Sequence, residues 1–434
     1  MNDSPQPTLV RALGRWSLTA LVLNGIIGSG IFGLPGDIAR LMGRAAPVAY
    51  VLGAAGIAVI MLVFAELASQ FREAGGPYLY AREAFGRFAG IQTGWFTWLV
   101  RLTSAAAAAH LFVIYLGEFW PGATAPLPRA LVITALIGGL AFVNVLGVRA
   151  GAGLANVFTA AKLVPLTLFI VVGLVLAPPL AAAPADAISS ATWIKALVLM
   201  AFAYGGFESA LIPAGETKNP RRDAPFALLT ALVVVAVFYL AIHFVAMRAL
   251  PDLAHSERPL ADAARVFAGP AGAAVISLGA MISTFGWLCG GLVGVPRLTY
   301  ALAEGGDFPR VFAQVHPRFR TPHVSIVLWA VLVLALALWG NFIWNAVLSV
   351  AARLVTYAMG CAALIRLRQR DPHADAWRAP AGVVLALLGG AFCVLLIAQM
   401  NADHARIVAV VAAIGTANWL AVRRRTPAAA PLPK

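Results

Sequence analysis

The sequence predicts an all-α polytopic membrane protein with 12 transmembrane helices, and three observations carry that expectation. Of 434 residues, 61% are hydrophobic and 12% charged, whereas a soluble domain runs at roughly 45–50% apolar and about 25% charged. With a mean hydropathy of +0.84, the chain has more apolar surface than one water-soluble core of this size can bury, so the remainder must face lipid. The apolar residues also fall into runs near the ~20 residues that cross a bilayer. Finally, the basic residues between those runs are unevenly shared between the two sides.

In chain order the runs lie at about 16–40, 46–70, 88–117, 129–147, 153–177, 193–214, 225–248, 270–302, 322–340, 343–366, 380–400 and 405–422. They divide into two successive groups of five, about 16–177 and 193–366, and a final pair at about 380–422. A single membrane domain, 16–425, is expected between a cytoplasmic N-terminal tail, 1–15, and a cytoplasmic C-terminal tail, 426–434. The connections are too short for a soluble catalytic domain. The N-terminal tail lacks an A-x-A-like cleavage site, and the first run is too long and too Gly-broken for a signal peptide, so no cleaved targeting segment is expected.

With both termini inside, the cytoplasmic connections collect twenty Lys and Arg and the opposite side eight, which is the sense of the positive-inside rule. The net charge of +14 is then a product of topology. A nucleic-acid binder gathers its basic residues on one surface; here they are scattered, so the implied partner is the lipid bilayer and not nucleic acid. Cys289, Cys361 and Cys393 all sit inside apolar runs and suggest neither a disulfide framework nor a metal site.

Two runs are interrupted. Span one holds Gly25, Gly28, Gly30, Gly33, Pro35 and Gly36. An interior Gly costs a helix ~1 kcal/mol relative to Ala, and a Pro ~3 kcal/mol, so the backbone is expected to unwind around Gly28-Ser29-Gly30. Span six places Gly205 and Gly206 at mid-membrane, followed by Glu208 and Pro213. Unwound backbone at that depth is tolerated only where it is buried in protein or lines a polar cavity. Interruptions at corresponding positions of two halves are the best sequence pointer to a transporter's binding site. A broken helix offers free N–H groups at one stub and free carbonyls at the other, a pair of ends that suits a zwitterionic amino acid. Spans three and eight carry Gly86-Gly90-Gly94 and Gly286-Gly290-Gly294, small-residue faces expected to make close helix contacts.

With these residues in view, the chain resembles the amino acid/polyamine/organocation (APC) superfamily of permeases along essentially its whole length. The segments that carry the likeness are GIIGSGIFGLPG at 25–36, FAELASQFREAGGPYLYAREAFG at 64–86, AKLVP at 161–165, FAYGGFES at 202–209, GETKNPRRDAP at 215–225 and PRLTYALAEGGDFP at 296–309. The resemblance implies a five-plus-five inverted repeat with discontinuous helices 1 and 6, two extra C-terminal helices, and alternating access around a central site. By position it puts the substrate carboxylate at Ser29 and Gly30 beside Gly28. The ammonium falls to the carbonyls of Ile26, Phe202 and Gly205, next to Gly206. Phe202 stands where relatives place an aromatic gate, and Trp287 where the substrate side chain is touched.

A charged side chain in the bilayer interior is a functional candidate by default. The resemblance puts the Lys162 ammonium where sodium-driven relatives hold a sodium ion, against the unwound first span. This argues against sodium coupling and leaves two roles open, a proton carrier or a permanent cationic pin. Glu208 is either a cap for free N–H groups after the second break or, by resemblance, a proton-sensing gate; Tyr204 is grouped with it and Lys162 in coupling or gating. Arg101 is expected to pair with an internal acid such as Glu66 or Glu208, the alternative being that it binds an acidic group of a ligand. Arg353, about as deep as Lys162, is expected in a structural salt bridge. Glu66, Arg297 and the 75–86 stretch are expected to organise the inner gate, and His110 and His243 to be satisfied packing residues.

No HExxH, GxSxG or GxxxxGK[ST] pattern is present, so a membrane enzyme is a minor alternative, and no metal or cofactor is implied. The expected function is sodium-independent amino-acid transport across the cytoplasmic membrane, as exchange or proton symport. The alternative is a polyamine or amine antiporter, which would need several acids to hold a polycation.

Overall fold

A computed structural model describes residues 14–71, 73, 75–147, 152–180, 187–212, 217–371 and 376–423, with the backbone alone at 152–157 and 159. Pro213, the start of the 215–225 segment and nearly all of both tails lie outside the described residues. The helices follow the predicted runs closely. Span one is α1 (Arg15–Ile26) and α2 (Ser29–Met42), and span two is α3 (Ala46–Gln70). A short α4 (Pro77–Phe85) precedes α5 (Arg87–Leu116), then α6 (Pro126–Val145) and α7 (Ala152–Leu176). The second group holds α8 (Ser190–Ala203), α9 (Pro220–Ala249), α10 (Pro259–Glu304), α11 (His323–Trp339) and α12 (Phe342–Arg370). The chain closes with α13 (Gly382–Ile397) and α14 (Ala402–Val422).

Eight helical stretches among the described residues are long and apolar enough to cross a bilayer, and Ala160–Leu176, His323–Trp339 and Gly382–Ile397 are shorter apolar helices. In α10 the backbone leaves helical geometry at Gly269, just before Pro270. Pro270 lacks an N–H and restricts the residue before it, which places the kink where the eighth run was expected to begin.

Burial separates inner from outer helices. In the most apolar stretch of α5, 83% of residues are buried, against 11% in α6 and 17% in α14. Leu127, Phe142, Val175, Val237 and Trp339 are exposed, and lipid is the solvent that accommodates such a surface. The inner helices pack as α5 on α10 and α12, α3 on α9, α1 on α9, and α7 on α10. The two broken segments meet at the centre of this arrangement.

Candidate functional site between two broken helices

α1 ends at Ile26; Ile27 is extended and Gly28 takes φ −131°, ψ −140° before α2 starts at Ser29. α8 ends at Ala203, Gly206 takes φ +111°, and one tight turn covers Phe207–Ser209. Both interruptions expected from the sequence are present, and they touch. A Cβ on Gly25 would sit 2.8 Å from the Gly206 carbonyl oxygen, and one on Gly206 would overlap the Gly25 carbonyl oxygen. Only glycine satisfies both the left-handed conformation and this backbone contact. Gly25 was not among the expected binding residues, because its importance depends on a contact between two segments about 180 residues apart.

Ile26, Gly28, Ser29, Gly30, Phe202, Gly205, Gly206 and Trp287 all line one chamber of about 30 Å³, together with Gly25, Arg101, Ser104 and Arg353. The chamber opens into a vestibule of about 350 Å³, with Gly25, Arg101 and Trp287 in both walls. Gly290 and Gly294 line the vestibule with open space over their Cα atoms. The expected helix-contact faces hold in part: Gly90 and Gly94 lie against Arg82 and Phe308, and Gly286 lies against Phe158 of α7, whereas Gly86 joins α4 to α5 and Gly290 and Gly294 create volume instead of contact.

The opposite end of the chamber is sealed. The Phe202 ring meets Phe342 edge-on at 6.2 Å, and a Cβ on Gly33 would overlap Phe342. The Tyr115 hydroxyl donates to the Phe32 carbonyl (2.8 Å), and α2 lies close to Ser256 through Gly36. Phe202 thus stands in the plug that closes this side.

Each break exposes backbone groups that must find partners. At the first, Lys162 Nζ donates to the carbonyls of Asn24 (3.0 Å) and Ile27 (2.8 Å). The Tyr239 hydroxyl donates to the Ile26 carbonyl (3.2 Å), which leaves that oxygen a second lone pair. No side chain caps the start of α2, whose first N–H groups have no partner within the helix. At the second break, Glu208 accepts from the Gly206 N–H (2.9 Å), the Tyr357 hydroxyl (2.9 Å) and Arg353 Nε (3.2 Å). Glu208 and Arg353 therefore form a buried ion pair.

The expectations for Arg101 and His243 are corrected here. Arg101 pairs with neither expected acid: Glu208 is taken by Arg353, and Glu66 by Arg368 and the Ala379 N–H (2.6–2.8 Å). Its Nη2 is buried without a hydrogen-bond partner. Tyr204 faces away from the chamber, donating to the Tyr50 carbonyl (3.2 Å) and packing on Tyr239. His243 packs on the Tyr50 ring, yet neither ring nitrogen has a protein partner, so it is buried but not satisfied.

Toward the vestibule end, Arg87 Nε donates to Asp307 (2.6 Å), the Tyr78 hydroxyl also donates to Asp307, and Arg82 donates to Tyr78 (3.0 Å). Burial and the Asp307 carboxylate push the Tyr78 phenol up. This cluster ties α4 and α5 to the segment after α10. Glu66 belongs to a separate cluster with Arg368, and Arg297 bonds to its own helix at Val293.

An all-helical membrane protein whose two broken helices meet around a buried polar chamber, open by a vestibule and plugged at the other end, is by class a solute transporter. A family model described as amino acid permease matches residues 13–420, and the chain belongs to that family, within the APC superfamily. It is a multi-pass membrane transporter and not an enzyme. It is similar to the serine/threonine exchanger SteT of Bacillus subtilis (strain 168), 30% identical over 372 residues covering 83% of this chain and 84% of that one. It is also similar to the methylthioribose transporter of the same organism, 26% identical over 415 residues (90% and 88% of the two chains). The branched-chain amino acid permease BcaP of that organism is 25% identical over 423 residues (92% and 90%).

Proposed function

We propose that the chain carries amino acids across the cytoplasmic membrane by alternating access, without sodium, in exchange for another amino acid or together with a proton. The observation that carries this reading is the uncapped start of α2, which opens into the same chamber as the interrupted end of α8. The substrate carboxylate binds the N–H groups at Ser29 and Gly30, where the helix dipole adds to the hydrogen bonds. The ammonium binds carbonyls at Ile26, Phe202 and Gly205, while Phe202 gates the chamber and Trp287 contacts the side chain. Twelve spans in a five-plus-five inverted repeat, with both termini cytoplasmic, put the vestibule on the side of the basic loops. The conformation is then inward-facing.

Sodium independence rests on Lys162, whose ammonium takes the carbonyls a bound cation would use at the first break. Names of relatives support amino-acid substrates and, for SteT, exchange. A polyamine substrate is disfavoured by the chamber wall, which holds two guanidiniums and no carboxylate, while Glu208 behind it is engaged with Arg353 and Tyr357. The test is counterflow in proteoliposomes, with each amino acid inside in unlabelled form and outside as tracer. Tracer accumulation that is unchanged when potassium replaces sodium is expected. Absence of counterflow for every amino acid, or strict dependence on sodium, would overturn the reading.

A further inference from the structure

Resting on the amino-acid reading above, we propose that the substrate carries an anionic side chain, and that Arg101 with Arg353 forms the subsite that receives it.

Arg101 and Arg353 both line the chamber. Arg353 is 4% exposed, its Nε is committed to Glu208, and its Nη1 is buried with no partner. That Nη1 lies directly over Gly205, where a Cβ would overlap it, so the donor sits at the second break itself. Arg101 Nη2 is likewise buried and unpartnered, and no salt bridge joins Arg101 to an acid among the described residues. Glu208, the one carboxylate near it among the described residues, is filled by Arg353, Tyr357 and the Gly206 N–H. The wall itself holds two guanidiniums and no carboxylate, and the carboxylate behind it is bonded to Arg353, so the Arg101 charge has no bonded counter-charge.

A zwitterionic main chain is neutral overall and cannot offset that charge. Its carboxylate is met by the start of α2, and the Arg101 donors are then left over. Burying a cation without a counter-charge is costly, and two unpaired buried guanidinium donors add to the cost. A second carboxylate on the substrate removes both penalties, because guanidinium forks suit carboxylates in a bidentate geometry. Arg101 also lines the vestibule, so it can meet an anionic side chain on entry and hold it at the chamber. Gly290 and Gly294 leave open space in the wall of that vestibule for the side chain to pass.

Isosteric pairs test this directly. Counterflow is measured in proteoliposomes for L-glutamate against L-glutamine and L-aspartate against L-asparagine, each trans-loaded with itself. At least one acid is expected to exceed its amide by about tenfold or more, since charge-assisted bonds are replaced by neutral ones. In Arg101→Gln that ratio is expected to collapse toward one, with Arg101→Lys intermediate. Amides or other neutral amino acids carried as well as the acids in the wild-type protein would overturn the anionic subsite while leaving the amino-acid reading intact. Absence of counterflow for every amino acid would overturn both. The wild-type acid-to-amide ratio decides the matter even if Arg101→Gln does not fold.

Discussion

At the first break the orphaned carbonyls of Asn24 and Ile27 are met by a cation, Lys162, reaching over from α7. At the second, an orphaned N–H at Gly206 is met by an anion, Glu208, from the same turn, and that anion is in turn held by Arg353 and Tyr357 of α12. The second break is thus closed upon itself. The first is closed on one side only, because the start of α2 carries no cap. The difference separates roles. A ligand carboxylate has a vacant anchor at the first break, while the second is braced by Glu208 and holds the Arg353 guanidinium, with Nη1 unpartnered, beside it.

The largest expected effect lies at the self-closed break. Glu208→Gln leaves Arg353 buried without its counter-charge, and breaking such a pair costs about 3–5 kcal/mol. Thermal unfolding in detergent should show this loss, and Glu208→Gln/Arg353→Gln should recover part of it. No recovery would mean that the two groups do not act as a pair. Next is Lys162→Ala, which strips a charged donor from two carbonyls at a cost of about 3 kcal/mol and should abolish uptake. Full uptake with wild-type pH dependence in that variant would remove Lys162 from the coupling step.

Gly206→Ala adds a methyl at φ +111° against the Gly25 carbonyl. It should cost about 2 kcal/mol from backbone strain and reduce transport by prying the two breaks apart. An unaffected Gly206→Ala would show that their contact does not matter. The smallest effect is expected for Tyr204→Phe, which loses one hydroxyl bond to Tyr50 worth about 1 kcal/mol. Transport should be unchanged; a loss of coupling with normal stability would return Tyr204 to the gate.

What could be read from sequence was whatever follows from local composition. The apolar runs matched helices, and the Gly and Pro clusters marked both interruptions. The Lys162 contact near Gly28 came through the likeness of AKLVP to other permeases. What was not legible depended on rotation and reach. Two residues along a helix differ by about 200° in direction, so Phe202 enters the chamber while Tyr204 points to α3. Arg101 had Glu66 or Glu208 as a plausible partner and Arg353 a salt bridge with no acid assigned, and only the crossing of α5, α8 and α12 gives Glu208 to Arg353. The same applies to Gly290 and Gly294, whose spacing suggests contact but whose surroundings are empty.

In this transporter the uncapped start of α2 is proposed to receive the substrate carboxylate opposite the second break. A density map of the protein saturated with a transported amino acid tests it most directly. Ligand density is expected between Ser29–Gly30 and Phe202–Gly205, with the main-chain carboxylate on the N–H groups of α2. Density confined to the vestibule near Gly290 and Gly294, with the start of α2 left empty, would contradict it.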